Sequence, residues 1–393
     1  MPESHVFDPY SPETLADPYP AYARLREHHP CFHIEAGDYW VLSRYDDVAA
    51  ALRDHARFSS AQGTGRARAT NPNLIDCDPP DHTRLRRLVS RVFVPKAISA
   101  RRAQIEAIVA GQLDHILQLG SCDLVDDFAA PLPITVIAEM MGVSPQYHAD
   151  FKRWSDLAME ALAGELSAER AAEVEAGRVE MVQFFKDVVA ERRVNPSADT
   201  EDDLIATLLS ASDDERLSPS EVMAFCVLLL VAGNETTTNL IASTTLAVQS
   251  HLDQWQLVLD DRELVPSFVE ETLRHDSPVQ AFFRTTRCPV DIAGRTIPAD
   301  AKVMLLFGSA NRDGSHFEAP DEFRSTRNPV DHLAFGAGIH ICLGAALARL
   351  EAGVVAHAFA ARVRSVRLQA DVVRSTNPLL RGIRHMAVSL RAR

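Results

Sequence analysis

Two runs in this 393-residue chain place reactive side chains where core packing alone does not call for them. The first is Leu228 to Ala242, LLLVAGNETTTNLIA, where Asn234, Glu235 and three threonines interrupt an apolar pattern. An unpaired polar group in an interior costs roughly 2–7 kcal/mol and a charge more, so something inside must use these groups. The second is Leu333 to Gly344, LAFGAGIHICLG. Gly336 and Gly338 let the backbone fold tightly, and the helix CLGAALARLEAGVVAHAF is expected to begin at Cys342. A cysteine at that end meets the positive pole of the helix dipole and free N–H groups, which favour thiolate over thiol. That is a setting for a metal ligand.

Simpler readings of the second run fail on spacing. G-A-G-I-H-I lacks the third glycine of a dinucleotide fingerprint, and no strand-helix-strand unit surrounds it. His340 and Cys342 have no second pair at zinc-ligand spacing. A lone cysteine is ordinarily a small core residue, but the residues around Cys342 form a pattern.

That pattern resembles the haem-binding loop of the cytochromes P450, F-G-x-G-x-[HR]-x-C-x-G, with matches at Phe335, Gly336, Gly338, His340, Cys342 and Gly344. The resemblance implies that Cys342 is the axial thiolate of haem iron, that Phe335 packs against it and that His340 donates to a haem propionate. Thiolate ligation pushes electron density onto the iron and favours O–O cleavage. Ala232-Gly233-Asn234-Glu235-Thr236-Thr237 likewise resembles the family's oxygen-activation motif, [AG]-G-x-[DE]-T-[TS]. Ala232 and Gly233 share a helix face with Thr236, and their small size lets the helix approach the haem plane. A mid-helix threonine can turn its hydroxyl to the carbonyl one turn back, so a bend with a freed carbonyl is expected here. By resemblance, Thr236 hydrogen-bonds at the bound oxygen and Glu235, standing where many members have Asp, delivers protons.

Other segments carry the same resemblance. In DPPDHTRLRRLVSRVF, His82 and Arg86 lie one helical turn apart, with Leu85, Leu88, Val89 and Val92 as the apolar stripe. The family uses such a pair on haem propionates, where a guanidinium fork suits a carboxylate, and Arg284 falls where it places another propionate ligand. Glu271 and Arg274 match the E-x-x-R helix, an ion pair that in the family supports the cysteine loop. Arg327 is the candidate for the arginine that completes this network, although Arg324 stands where an acid or amide is common. The substrate pocket implied runs along the Phe58 to Leu74 loop, Trp154 to Leu162, Glu180 to Phe185, Leu228 to Ala232, Val279 to Phe282 and Pro378 to Leu380. Leu228, Ala232, Val279, Ala281 and Phe282 would form apolar walls, with Gln280 as one polar handle.

The elements that must position these residues are readable in outline. Ser218-Pro219-Ser220-Glu221 can cap a helix running to about Ser250. Another helix is expected over Leu264 to His275, and mostly helices over Asp81 to Phe185. Strand signals lie at Tyr39 to Ser43, followed by a helical pattern through Phe58, and at Phe282 to Thr286, Val290 to Ile292, Gly294 to Ile297, Lys302 to Phe307 and Met386 to Leu390. Asn195 to Asp214 reads as a surface loop. The class is mainly α with small β-sheets. The resemblance spans nearly the whole chain and implies one triangular P450-fold domain over residues 1–393, with haem between the long central helix and the helix after the cysteine loop.

Composition bounds the function. A net charge of −14 argues against nucleic-acid binding, which needs a basic footprint. No signal peptide is evident at the N-terminus and no run reaches ~18 apolar residues, so a cytoplasmic protein without a membrane span is expected. The six cysteines are scattered without a C-x-x-C pair, and most are expected to be buried.

The resemblance implies a soluble, bacterial-type haem-thiolate monooxygenase that binds haem b and uses O₂ on a hydrophobic small molecule, acting as a monomer. Electrons would come from a separate ferredoxin and its reductase, with NAD(P)H serving only through them. Between His82 and Arg102 stand Arg84, Arg86, Arg87, Arg91, Lys96, Arg101 and Arg102 with no acidic residue, a stretch suited to an acidic ferredoxin. A peroxide-driven member of the family or a haem-binding sensor or carrier would not need the Glu235-Thr236 pair.

Overall fold

A capping box starts the longest helix, Pro219–Ser250: Ser218 Oγ accepts the Glu221 N–H at 3.2 Å and the Glu221 carboxylate accepts the Ser218 N–H at 2.8 Å. The orphan donors of that end are thereby satisfied. The computed structural model describes residues 6–68, 73–163, 166–195, 203–209 and 217–393, without the side chains of 162 and 163. In it the helix runs unbroken for 32 residues, about 48 Å at ~1.5 Å per residue. The bend expected at Thr236 does not interrupt it. The Ala232 carbonyl is not freed either, because the Thr236 hydroxyl donates to it at 2.8 Å.

The sequence expectation that no run is apolar enough to span a membrane needs correction. A window of this helix has mean hydropathy 1.3 and passes by length and composition, with half of the window buried inside the protein. The reason is packing, since Phe225, Cys226, Leu230, Leu240 and Ile241 join the largest core cluster. Helices Pro131–Met140, Val265–His275 and Ala345–Arg362 contribute Ile137, Phe268 and Val355 to it.

A five-stranded sheet orders its strands Cys31–Ile34, Tyr39–Leu42, Lys302–Leu306, Ala281–Thr286 and Phe58–Ser59. Tyr39 pairs with Lys302 in parallel, and Arg284 with Val303 antiparallel. A three-stranded sheet joins Ser121–Asp123, Ala387–Ala392 and Val363–Leu368, and two short pairs complete the β structure. Period 2 along Ala281–Thr286 sends Phe282 and Arg284 toward one side, while Ala281 and Phe283 pack into a second core with Phe7, Tyr22 and Leu25.

Several boundaries differ from the sequence reading. Cys31–Ile34 is an earlier strand, formed because antiparallel pairing with Tyr39–Leu42 supplies what its short CFHI pattern does not. The helix expected through Phe58 ends at Arg53, and Phe58–Ser59 pairs instead as a strand with Thr285 and Thr286. Phe307 leaves the sheet to begin the short helix Phe307–Ala310. The helix expected from Cys342 begins at Ala345. Within the loop expected at Asn195 to Asp214, Leu204–Leu209 is helical, and residues 196–202 and 210–214 lie outside the described residues. All six cysteines are free, but only Cys31 and Cys226 are buried; Cys77, Cys122 and Cys288 are half-buried because the short strands and turns that carry them lie near the surface.

One buried ionic network ties the Val265–His275 helix to the segment entering the cysteine loop. Glu271 and Arg274, both fully buried, meet in a bidentate pair at 2.7 and 2.8 Å. Arg274 also donates to the Asn311, Pro320 and Glu322 carbonyls, so its donors are used. Arg327 reaches Glu271 at 3.1 Å, and the Arg324 backbone N–H reaches it at 2.8 Å. The Arg324 side chain turns out to Glu322 and Glu318, so the network uses only the backbone there. Removing one partner of a buried pair strands the other charge. Glu271→Leu should therefore cost about 3–5 kcal/mol, read as a lower urea midpoint; Arg324→Ala should stay within about 0.5 kcal/mol.

Candidate functional site

The loop around Cys342 has little regular structure and is held by specific contacts. The Cys342 N–H donates to the Phe335 carbonyl at 2.9 Å, and Gly336 and Gly338 take φ of +68° and +72°. At Gly338 an added Cβ would lie 2.4 Å from the Leu52 carbonyl oxygen, so only glycine lets the loop sit on the preceding helix end. Cys342 is surrounded by protein yet keeps an open surface, because it faces an internal cavity. Burial pushes its thiol up, opposed by the Gly344 and Ala345 N–H groups and by Arg86 and Arg349. The later helix start thus still aims N–H groups at the sulfur.

That cavity has about 1430 Å³ of empty space and opens toward solvent. Arg86, Arg284 and His340 line it. His82 and His340 have ring centroids 4.3 Å apart, and the Nε2 of each is buried without a protein partner. Burial lowers both imidazoles, that of His340 to about 3 with Arg284 and His82 adding to the effect. Arg284 is buried and donates to the Phe283 carbonyl at 2.8 Å; burial lowers it to about 10. Two guanidinium groups and two unpartnered imidazoles suit a pair of carboxylates. With a sulfur facing the cavity and apolar walls around it, these residues fit haem, a flat apolar ring with two propionates and an iron needing an axial ligand.

The long helix passes this cavity with two different faces. Ala232, Gly233, Thr236, Thr237 and Leu240 line the cavity. Ala232 has no side chain beyond Cβ, and Gly233 packs close under Ile137. Asn234, Glu235 and Thr238 instead line a polar cleft on the far side with Lys152, Asp156 and Arg384. Successive helical residues point ~100° apart, so Glu235 and Thr236 necessarily face different spaces. Glu235 is raised by burial and then by Asp156, while Lys152, the Asn239 amide at 3.4 Å and Arg384 pull it down. It is thus easily protonated at the inner end of a solvent-reaching cleft.

The pocket expected from sequence is brought together only in part. Leu228, Ala232, Val279 and Phe282 line the cavity. Gln280 and Ala281 do not. The Gln280 amide donates to the Ser277 carbonyl and its side chain packs on Gly308, while Ala281 points into the second core. From the Phe58 to Leu74 loop only Leu74 reaches the cavity; residues 69–72 lie outside the described residues. Leu157, Met159 and Glu180 line the polar cleft instead, and Phe184 and Phe185 pack against Phe151, because the two helices that carry these five residues lie across the far side. Leu380 borders that cleft and a small surface pocket.

Sequence reasoning missed Ile75, Ile137 and Phe225 in the cavity wall, and a second ionic cluster under the loop. Arg349 clamps Glu270 at 2.6 and 2.8 Å, His332 Nε2 meets Glu270 at 3.0 Å, and the Arg349 guanidinium lies 4.5 Å from the Phe335 ring centre. Burial would raise Glu270, but the bonds from Arg349 and His332 win and hold it near 2. The signal was present in V-E-E-T-L-R, where adjacent acids point ~100° apart and can serve two different networks.

Comparison with known proteins agrees with the geometry. The sequence profile of the cytochrome P450 family matches residues 243–363. The chain is 38% identical over 395 aligned residues to cytochrome P450 107B1 of Saccharopolyspora erythraea, covering 95% of each. Its structure superposes on a cytochrome P450 of Chondromyces apiculatus with TM-score 0.89, 36% identity and 98% of each chain covered. A Bacillus megaterium cytochrome P450 solved with corticosterone gives TM-score 0.86, 32% identity, and covers 96% of this chain and 99% of that one. The chain belongs to the cytochrome P450 family, with its fold and haem-thiolate monooxygenase activity.

Proposed function

We propose that this cytochrome P450 monooxygenase inserts one oxygen atom from O₂ into a hydrophobic small molecule, and that Cys342 would hold the iron of haem b as its thiolate ligand. What supports the reading is one juxtaposition: the Cys342 sulfur faces the cavity that the Thr236 face of the long helix also lines. His82, Arg86, Arg284 and His340 would hold the propionates. When bound, the haem supplies the oxygen activation. Leu228, Ile75, Val279 and Phe282 offer the substrate apolar contact, which suits steroids, terpenoids and similar hydrocarbon-rich molecules.

The protein's own task is to move protons without admitting bulk water. Glu235 takes a proton from water in the polar cleft and releases it toward the cavity by turning its side chain. The single Thr236 hydroxyl proton is committed to the Ala232 carbonyl at 2.8 Å, so toward the cavity this oxygen is an acceptor that holds a proton-carrying water in place. Burial of the long helix in the core fits one cytoplasmic domain.

Electrons come from a separate ferredoxin-type protein and its reductase, with NAD(P)H acting only through them. Of the basic residues between 84 and 102, Arg86 turns into the cavity, while Arg84, Arg87, Arg91, Lys96 and Arg102 are exposed. The exposed set gives an acidic donor a positive approach on an otherwise acidic protein.

Thr236→Ala should keep O₂ consumption while product per electron pair falls on the order of tenfold and hydrogen peroxide rises, the effect of one hydrogen bond on partition. Full coupling in this variant contradicts the role. Arg87→Glu should slow reduction by ferredoxin most at low salt, the difference shrinking as the screening length falls below ~10 Å above 0.1 M. Equal slowing at all salt concentrations contradicts docking there.

A further inference from the structure

Lys302 opens the strand Lys302–Leu306, which is buried along its whole length, and is itself only 9% exposed. A lysine in such a place ordinarily finds a carboxylate. Here the ammonium donates to three main-chain carbonyls of one short loop: Gln62 at 2.9 Å, Gly63 at 3.1 Å and Gly65 at 3.2 Å. The Thr64 carbonyl between them accepts the Phe283 N–H of the neighbouring strand at 2.8 Å. The loop at 62–65 is thus laid on two strands.

Burial lowers Lys302 to about 8, and Arg68 and Arg284 oppose its charge while Asp76 and Asp300 favour it. At neutral pH it is therefore still the ammonium, with all three N–H donors used. A neutral side chain would avoid the cost of burying this charge, so the three carbonyls are what the charge serves. The other ties of the loop are weaker. The Gln62 amide and Arg68 reach the exposed Asp300 at 3.1 and 2.9 Å, and exposed contacts of this kind contribute little.

The anchored loop leads to the cavity in two short steps. The Thr64 N–H and hydroxyl donate to Asp76 Oδ1 at 3.1 and 3.4 Å. Asp76 ends the 3-10 turn Leu74–Asp76, and Leu74 and Ile75 of that turn line the cavity. We propose that Lys302 is a positioning residue for the substrate: its ammonium anchors the loop at 62–65, and through Thr64 and Asp76 it fixes where the wall of Leu74 and Ile75 meets the bound molecule. The inference rests on the reading of this cavity as the substrate site beside haem.

Two azole probes test it on the holoprotein. Lys302→Met keeps the bulk of the stem and loses every donor. Its affinity for clotrimazole, which carries three aryl rings to the cavity wall, should fall several-fold by absorption titration, while that for imidazole, too small to reach the wall, stays unchanged. Unchanged clotrimazole affinity, or equal losses for both azoles, overturns the proposal. Hydrogen exchange at the Thr64 amide should quicken several-fold in the same variant, with the Val363–Leu368 strand as unchanged reference; unchanged Thr64 exchange also overturns it. In Lys302→Ala, methylammonium chloride should restore clotrimazole affinity and tetramethylammonium chloride, which has no N–H, should not. No difference between the two salts overturns the proposal, because a lysine needed only for stability gives no such split. If the Lys302 variants do not fold, Asp76→Ala, which breaks the next link, must show the same split between azoles or the proposal falls. Absence of a thiolate-type spectrum in the reduced, carbon-monoxide-bound wild type would sink the underlying monooxygenase reading instead, and the Thr64 exchange would still report on the anchor.

Discussion

A sulfur that is to hold a metal must be fixed to within about 0.5 Å by its surroundings, and the segment carrying Cys342 has little regular structure to fix it beyond the 3-10 turn Gly338–His340. The rest of the fold supplies that rigidity. Arg274, buried against Glu271, donates to the Asn311 carbonyl, and the Asn311 side chain accepts the Leu333 N–H at 2.6 Å where the loop begins. Glu270, one residue earlier, holds Arg349 and His332 against the other side of the loop. Gly338 then seats the turn on the Leu52 backbone. Adjacent carboxylates on one helix thus clamp the loop through separate networks, and both are fully paired. That matters because a half-paired buried ion is worse than none.

The long helix separates two spaces of different character. Its cavity face carries Ala232, Gly233 and Thr236, and its opposite face carries Asn234, Glu235 and Thr238 in a cleft with Lys152, Asp156 and Arg384. The cavity is walled mainly by apolar side chains, with Arg86, Arg284 and His340 among them, whereas the cleft is lined largely by charged ones. The polar run in an apolar helix thus opens onto a space at each position, Thr236 and Thr237 on the cavity and Asn234, Glu235 and Thr238 on the cleft. Within that run the Thr236 hydroxyl donates back to the Ala232 carbonyl, as those of Thr244 and Thr245 do to Leu240 and Ile241 further along the helix.

What was legible in the sequence is what backbone geometry dictates locally. The capping box at Ser218, the period of the long helix and the spacing around Cys342 depend on neighbours within a few residues, and they placed the main elements and the sulfur well. What failed depends on contacts distant in sequence. Gln280 reads by position as the polar handle of the pocket, yet its bond to the Ser277 carbonyl and its packing on Gly308 take its side chain elsewhere. Cys31–Ile34 becomes a strand only because Tyr39–Leu42 is there to pair with it. The doubt over Arg324 came from treating a side chain as the ligand where a backbone N–H serves Glu271.

The central claim is that Cys342 is the thiolate ligand of a haem held in this cavity. The most direct measurement is the absorption spectrum of the dithionite-reduced, haem-supplied protein under carbon monoxide, for the wild type and for Cys342→Ser. The account requires a strongly red-shifted Soret band in the wild type that is lost in the variant. A folded wild type that takes up no haem, or one whose band stays at the position of histidine-ligated haem, would contradict it.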